Sequence, residues 1–424
     1  MIYKYPKERK LLFKYLILYI IPIIIAFISC KCDNINYDNK NISKNKTVIV
    51  YMPWTGTSGN LKSFFDKNIE DIKEAIIKNN SIKETNVILF IAYSSNKAEL
   101  IKINYEKQRC KEVLLKSFDD GAMNTVSKMR YLLNIIYQVS PTPLYSMIIG
   151  GHGVGWIQYN AKDITNYQKT NNKKQYKDFK YFGGQDIKMN IDELAFGISS
   201  SKIKKMQYIL FDDCNMANIE TAYELRFATN YLIASATEIM AYGMPYHEIW
   251  NELANISPNY QKIVDKFYQF YSNFEVDGTL YNYGTISVTD CSKTDIMIDI
   301  LDEINRKHYI GTHVDDVQVL DGYEPAIFYD LSDYIHKLCK DDINLINKYN
   351  QIVKLFIPYE KHTQNYYSSL YYSGVHMIKY CSGLTISAMS ENTMVKISKK
   401  YNSFYKRIAQ KKVGYIHMRP TIYD

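Results

Sequence analysis

Cysteine is scarce in this sequence, with seven residues in 424, and no two of them form a Cys-x-x-Cys pair or another metal-ligand spacing. Gly-x-Ser-x-Gly and His-Glu-x-x-His are also missing, which excludes the nucleophile elbow of serine hydrolases and the zinc-protease helix. No Lys-Ser/Thr follows the glycines of residues 150–155, so there is no phosphate-binding loop. Basic residues form no stripe interleaved with aromatics, and we therefore expect no nucleic-acid partner. We find no internal repeat.

The composition is that of an ordinary globular protein, with 46% hydrophobic and 23% charged residues. At this length the chain can form one large domain or two of common size. The net charge is +8, but residues 1–29 contribute about half of it, through five basic residues and one acidic residue. The remaining charge is weak evidence for an acidic partner.

Residues 1–29 have the pattern of a targeting segment. A basic stretch at 4–14 precedes an apolar run at 15–28. The last two residues of this run begin the sequence Phe-Ile-Ser-Cys, which ends at Cys30. This pattern predicts a lipoprotein signal peptide with Cys30 as the lipidated residue and a polar tether at 30–46; Cys32 is a less favoured acceptor. An uncleaved membrane anchor and another export route stay open, since the apolar run is nearly long enough to span a bilayer. Each alternative predicts an exported protein, either a bacterial membrane-anchored lipoprotein or a protein of the cell surface.

Five cysteines remain beyond the targeting segment, and they are widely spaced. An odd number in an exported chain leaves at least one free thiol, for which Cys214 is our candidate. The others are expected to be buried apolar cysteines, although disulfides stay open. The five are Cys110, Cys214, Cys291, Cys339 and Cys381.

Short apolar strands alternate with amphipathic helices over the first two thirds of the chain. This alternation predicts an α/β fold with a mostly parallel sheet covered by helices on both faces. We place a main domain at 47–305 and a smaller C-terminal α+β subdomain at 306–424. The predicted strands are 47–54, 86–93, 99–105, 144–149, 207–211, 231–235, 284–288 and 384–388, and the predicted helices are 61–78, 122–139, 191–198 and 220–226.

Two motifs follow predicted strands and carry the chemistry. Residues 150–156 read Gly-Gly-His-Gly-Val-Gly-Trp, and residues 211–216 read Phe-Asp-Asp-Cys-Asn-Met. The carboxyl ends of parallel strands share one edge of a sheet, so His152 and Cys214 are expected in one cleft. An imidazole can hold the proton of a thiolate nucleophile, and the N–H groups of Gly153 and Cys214 are candidates for an oxyanion hole. A structural histidine or a core thiol explains either residue alone, but the pair favours catalysis.

These motifs resemble those of the clostripain-like cysteine peptidases (peptidase family C11), relatives of the caspases and gingipains. The resemblance covers about residues 47–290 and includes Ala-Ser-Ala-Thr-Glu at 234–238 and Gly-Met-Pro-Tyr at 243–246. It implies a caspase-like fold, His152 as general base and acid, and Cys214 as nucleophile. It also implies cleavage after Arg or Lys, with Asp212 lining the specificity pocket. A buried cation needs a paired charge, which suits a carboxylate there.

The sequence departs from the family pattern beside the nucleophile. Asp213 stands where a small residue is usual, and Asn215 replaces a common apolar residue. A second charged carboxylate close to Cys214 would disfavour the thiolate. Asp213 either points away along the pleat or adds a second acidic wall to the substrate pocket.

The segment 158–190 has little periodicity and seven lysines, and the resemblance implies that family members are often activated by cleavage between His and Cys. It is a candidate processing loop, or else a solvated basic loop. We predict a cysteine endopeptidase that acts on proteins or peptides with basic residues, without a cofactor, as a monomer. Some family members use a metal, but no ligand cluster stands out here. A non-catalytic binding lipoprotein and another thiol hydrolase or amidase are the alternatives.

Overall fold

The computed structural model describes residues 44–57, 59–79, 83–159, 183 and 188–410. The targeting segment, with Cys30 and Cys32, lies outside the described residues, as do 160–182 and 184–187 of the candidate processing loop. Within the described ranges no helix has the length and apolar character needed to cross a bilayer.

Strands and helices alternate along the described chain up to about residue 234, except for three consecutive strands between residues 85 and 118. The strands are β1 (Lys46–Met52), β2 (Thr85–Ser94), β3 (Lys97–Glu106), β4 (Arg109–Phe118), β5 (Leu144–Gly150), β6 (Met206–Asp212), β7 (Thr229–Ala234), β8 (Glu275–Val276), β9 (Thr279–Leu280), β10 (Thr285–Asp290), β11 (Tyr329–Asp330), β12 (Tyr359–His362), β13 (Asn365–Ser368), β14 (Gly374–Met377) and β15 (Thr385–Ile386). The helices are α1 (Lys62–Asn79), α2 (Val126–Val139), α3 (Ile191–Ser199), α4 (Ile219–Leu225), α5 (Tyr246–Ala254), α6 (Tyr260–Ser272), α7 (Thr294–His308), α8 (Leu331–Leu338), α9 (Ile343–Phe356), α10 (Thr393–Ser398) and α11 (Ser403–Gln410).

Nine of these strands, within the part of the chain that the structure describes, form one mixed, mostly parallel sheet. Their order is β12-β10-β7-β6-β5-β1-β2-β3-β4. The five central strands, from β2 through β1, β5 and β6 to β7, run parallel. Strands β3 and β4 at one edge, and β10 and β12 at the other, add antiparallel pairs. The predicted α/β fold class is confirmed.

Apolar side chains cover both faces of the sheet, as the continuous apolar strands predicted. On β1, Ile49 and Tyr51 face one core, which α2, α3, α4, α7 and α9 cover. Val48, Val50 and Met52 face the other core, which α1, α5 and α6 cover. The carboxyl ends of the parallel strands are thereby held between two packed layers.

One helix begins at a different residue from the predicted one, and local hydrogen bonds explain the difference. Helix α2 begins at Val126 instead of residue 122, because the Thr125 side chain accepts the N–H of Lys128 as an N-cap. Upstream, the Asp120 carboxylate accepts the N–H groups of Ala122 and Met123 and holds a turn there. Strand β4 was not predicted, because its charged residues hide the alternation of a strand at the sheet edge.

Residues 306–410 supply four helices and five short strands of the described chain. Strand β12 joins the central sheet beside β10. A third apolar cluster joins this region to the segment after His152, through Val154, Trp156 and Phe328 among others. The boundary between the main domain and the C-terminal subdomain, at residues 305 and 306, stays a prediction.

Candidate active site

The register of β5 and β6 places the two motifs side by side. These parallel strands are neighbours, and their last register pair is Gly150 with Asp212. His152 and Cys214 each lie two residues beyond that pair. Since neighbouring strands are about 4.8 Å apart, the two side chains start from equivalent positions on the same edge of the sheet.

Two glycines allow the His segment to lie directly against the Cys segment. A Cβ atom at Gly153 would overlap the carbonyl oxygen of Cys214 and lie 2.9 Å from Met216 Sδ. A Cβ atom at Gly151 would lie 3.2 Å from a carboxyl oxygen of Asp213. The glycines flanking His152 are therefore required by close contact between the two loops.

This contact gives a first testable prediction. Gly153→Ala forces the two loops apart, and we expect about a hundredfold loss of kcat/KM, because such a shift misplaces the reacting groups. The overlapping backbone atom also predicts a loss of about 1–3 kcal/mol in the free energy of unfolding. Gly278→Ala is the control, since its Cβ would have no atom within 4 Å and only its φ of +77° is strained. Equal activity of the two variants would contradict the contact.

One cavity of about 250 Å³ brings the predicted side chains together. His152, Asp212, Asp213 and Cys214 all line it, and α1 closes it on one side with residues that include Phe64 and Asn68. Gly153 lies next to it through its contact with Cys214. Cys30, the predicted lipidation site, is not among the described residues. The catalytic roles of these residues stay predictions.

A backbone carbonyl orients the imidazole of His152. The Nε2 atom lies 2.7 Å from the carbonyl oxygen of Gly59, in the loop after β1. A carbonyl oxygen can only accept, so Nε2 carries a hydrogen in this arrangement, and in the neutral imidazole Nδ1 then has the lone pair. Gly59 was not predicted, because a backbone carbonyl leaves no signal in residue type. Its φ of +71° suits glycine at this position.

The segment that follows His152 is anchored in the third apolar cluster. Val154 and Trp156 are fully buried there. The Trp156 indole donates to the Ser387 hydroxyl at 3.0 Å, and its ring lies 5.3 Å from that of Tyr405. The C-terminal region therefore fixes the backbone on which the imidazole stands.

Cys214 lies on a sharp strand–turn–helix connection. Asn215, the next residue, has a φ of +56°, which asparagine tolerates better than an apolar residue does. Its N–H donates to the Thr237 carbonyl, and its own carbonyl accepts from the Asn218 amide. Asn218 also caps α4 by accepting the Thr221 N–H. The departure at Asn215 is thus explained by backbone conformation.

The thiol of Cys214 is partly exposed and directed along one wall of the cavity. Its Sγ lies 3.8 Å from the carbonyl oxygen of Ile239, a weak thiol hydrogen bond. No disulfide joins any of the five described cysteines.

Asp212 is held at the cavity by three donors. Its Oδ2 accepts from Asn68 Nδ2 at 3.1 Å and from the Tyr246 hydroxyl at 2.9 Å. Burial raises the pKa of Asp212 to about 6, while hydrogen bonds from the Met244 N–H, Tyr246 and Asn68 oppose that rise. A Cβ at Gly243 would lie 2.6 Å from the carboxylate, so only glycine leaves room there. Because a pKa of about 6 lies below 7, the Asp212 carboxylate is mostly ionised at neutral pH.

Asn68 and Tyr246 were not predicted as site residues, although the segment 243–246 was singled out for its resemblance. They stabilise the buried charge that the cavity contains.

Asp213 is buried, and its burial favours the uncharged form of the carboxyl group. It is 1% exposed, and neither carboxyl oxygen makes a hydrogen bond of normal geometry within the described residues. Burial raises the pKa of Asp213 well above its usual range, the charge of Asp212 adds to the rise, and the nearby Gly151 N–H opposes it. The uncharged form that burial favours places no negative charge beside Cys214, which lessens the expected penalty on the thiolate.

Among the described residues, no group of three or more His, Cys, Asp or Glu side chains is placed to hold a metal ion.

The fold and the cavity define a cysteine peptidase of caspase-like architecture. The model of the clostripain family, Peptidase_C11, matches residues 50–415. The chain therefore belongs to the clostripain family and is a cysteine-type peptidase.

Solved structures agree with this assignment. A secreted C11 cysteine protease from Bacteroides thetaiotaomicron, "iotapain", is 36% identical with a TM-score of 0.77, over 87% of this chain and 100% of that one. An inactive zymogen C11 protease from Parabacteroides distasonis is 21% identical, with a TM-score of 0.70 over 87% and 99%. A secreted C11 cysteine protease from B. thetaiotaomicron, in complex with an irreversible peptide inhibitor, is 19% identical, with a TM-score of 0.72 over 87% and 100%. No curated protein matches the chain at a significant level.

Proposed function

We propose that the protein is an endopeptidase that cleaves peptide bonds after Arg or Lys through a Cys214–His152 dyad. The observation that carries this proposal is the shared cavity, which His152 and Cys214 line from equivalent positions beyond β5 and β6. Membership of the clostripain family supports the cysteine peptidase chemistry.

In this mechanism His152 accepts the Cys214 proton, and the thiolate attacks the carbonyl carbon of the peptide. The imidazole then protonates the leaving amine, and the acyl half remains as a thioester on Sγ. A water molecule, deprotonated by His152, hydrolyses the thioester. The Gly59 carbonyl holds Nε2–H in place, which leaves Nδ1 as the atom that exchanges the proton.

We assign the oxyanion hole to the backbone N–H groups of Gly153 and Cys214, which would donate to the negatively charged oxygen of the tetrahedral intermediate. Support comes from the close contact of these two residues, which places the backbone of Gly153 directly against that of Cys214. Donors fixed in advance stabilise a developing negative charge without reorganisation.

The preference for a basic residue rests on Asp212. Its ionised carboxylate, held by Asn68 and Tyr246, lines the cavity and can pair with an ammonium or guanidinium group. Asp213 lines the same cavity, but burial raises the pKa of Asp213 and favours its uncharged form. We therefore assign Asp213 a role in the shape of the substrate pocket and not in its charge.

The pKa of Asp212 predicts a pH dependence of specificity. Below about pH 6 the carboxylate becomes protonated and loses its attraction for a basic side chain. We expect the ratio of kcat/KM for a lysine substrate to that for a norleucine substrate to fall as pH drops from 7 to 5. This ratio cancels any effect of pH on catalysis that is common to both substrates. A ratio that stays constant from pH 5 to 8 would contradict the role of Asp212.

A profile of cleavage against the residue before the scissile bond tests the proposed function. The purified body of the chain, residues 44–424, is assayed on a peptide library in which that residue alone varies. We expect cleavage after Lys and Arg, and no cleavage by Cys214→Ala. A profile without basic residues would contradict the specificity, while equal activity of the alanine variant would contradict the nucleophile.

We further propose that the protein is exported and acts on protein or peptide substrates. The similarity to a protease described as secreted supports export, and the peptide inhibitor bound to another C11 protease supports peptide substrates. The lipid anchor at Cys30, the monomeric state and processing within 158–190 stay predictions. If the segment is self-processed, the purified protein splits into two associated pieces, whereas Cys214→Ala stays whole.

A further inference from the structure

An apolar surface covers the outer face of the β13–β14 hairpin. Tyr366 and Ser368 of β13 point inward and are buried, so Tyr367 between them points outward. Val375 pairs with Tyr367 across the hairpin, and Met377 lies two residues further on the same face. Val375 is 53% and Met377 58% exposed. We call the side chains of Tyr367, Val375 and Met377 the hairpin face.

The hairpin face is continuous with the active-site cavity. Tyr367 and Ser369 line the same cavity as His152 and Cys214. The Tyr283 ring, 6.0 Å from that of Tyr367, extends the apolar surface. An exposed apolar surface that begins at a catalytic cleft indicates a binding function.

One carboxylate fixes the hairpin relative to the nucleophile. Glu238 accepts hydrogen bonds from the Ser368 hydroxyl, and from both the N–H and the hydroxyl of Ser369. The next residue, Ile239, places its carbonyl oxygen 3.8 Å from Cys214 Sγ. The hairpin and the cavity wall beside the thiol therefore hold a defined relative position.

The direction of the substrate follows from the proton transfer. His152 protonates the leaving amine, so the leaving half of the peptide lies on the side of His152 and Gly59. The acyl half then lies on the other side of Cys214, along Ile239 and the hairpin. Tyr367 lines the same cavity as Cys214, and an extended peptide advances about 3.3 Å per residue, which directs the residues just before the cleaved one toward the hairpin face.

We propose that the hairpin face binds apolar side chains of the substrate residues that precede the basic residue at the cleavage site. The inference rests on the proposed function and adds a second specificity element to it. The Asp212 carboxylate selects a positive charge on the substrate residue at the cleavage site. The hairpin face selects apolar side chains on the substrate residues before it. A second copy of this chain is the competing occupant of the same surface.

Two extended substrates with the same basic residue and the same fluorogenic leaving group test this inference. One carries three apolar residues before the lysine, and the other carries three serines. For the wild-type protein we expect kcat/KM to be about tenfold higher with the apolar substrate. In the Val375→Ser/Met377→Ser double variant this ratio should fall to about one. A ratio is independent of how much of the variant is folded.

Leu355→Ser is the matched control, because Leu355 of α9 is 55% exposed and is not among the residues that line the cavity. It should keep the wild-type ratio. No apolar preference in the wild type, or an unchanged ratio in the double variant, would overturn the inference while leaving the proposed function intact. Concentration-dependent dimerisation in sedimentation velocity that the double variant abolishes would assign the face to a second copy instead. Failure to cleave any basic substrate would overturn the proposed function and this inference together.

Discussion

Cys214→Ala is expected to lower kcat for a basic peptide substrate by at least about 10⁴-fold, because it removes the atom that forms the thioester. The substitution deletes a single sulphur atom from a partly exposed side chain, so the fold should persist. Steady-state hydrolysis of a fluorogenic lysine substrate measures the loss, and the thermal unfolding midpoint verifies the fold.

Cys110→Ala is the matched control for this prediction. Cys110 is also a partly exposed cysteine without a disulfide, but it lies on the edge strand β4, and burial raises the pKa of its thiol. Its removal should leave hydrolysis unchanged. If Cys110→Ala were inactive and Cys214→Ala active, the assignment of the nucleophile would be wrong.

The second large effect is expected from Asp212→Asn, which should lower kcat/KM for lysine and arginine substrates by about 10²–10³-fold. Removing the carboxylate leaves the substrate cation buried without a charged partner. Activity on a neutral norleucine substrate should change far less. Asp213→Asn should cost at most a few-fold on basic substrates, because burial raises the pKa of Asp213 and favours its uncharged form.

The stability of Asp212→Asn separates loss of function from loss of fold. The folded-state pKa of Asp212, about 6, is raised from 3.8, so the folded state binds this proton more tightly than the unfolded state does. The contribution of the Asp212 carboxyl to the free energy of unfolding therefore falls as pH rises from about 4 through 6. Replacing it by neutral asparagine should leave the unfolding midpoint at pH 7.5 equal or higher. A fall of several degrees would show that Asp212 is needed for the fold.

The placement of His152 and Cys214 could be predicted because it depends only on strand order. Each follows a continuous apolar strand, and parallel strands present their carboxyl ends at one edge. The register of Gly150 with Asp212 brings the two segments together, and the flanking glycines allow the contact. Residue type and spacing were sufficient for this part of the site.

Other parts of the site leave no signal in residue type. The Gly59 carbonyl orients His152 through the backbone, and Asn68 reaches Asp212 from a helix 144 residues earlier in the chain. The rise in the pKa of Asp213 comes from its burial, which a sequence position beside a nucleophile does not reveal. Likewise, the charges on β4 conceal a strand that pairs with β3.

Covalent labelling with a lysine chloromethylketone tests the central claim most directly. The reagent is applied to the wild type, Cys214→Ala and His152→Ala, each before and after limited tryptic nicking within residues 158–190. Intact mass and peptide mapping then locate the adduct. We predict one adduct, on Cys214, that is absent from Cys214→Ala and forms far more slowly in His152→Ala. An adduct on another residue, or none on the wild type even after nicking, would contradict the proposed dyad.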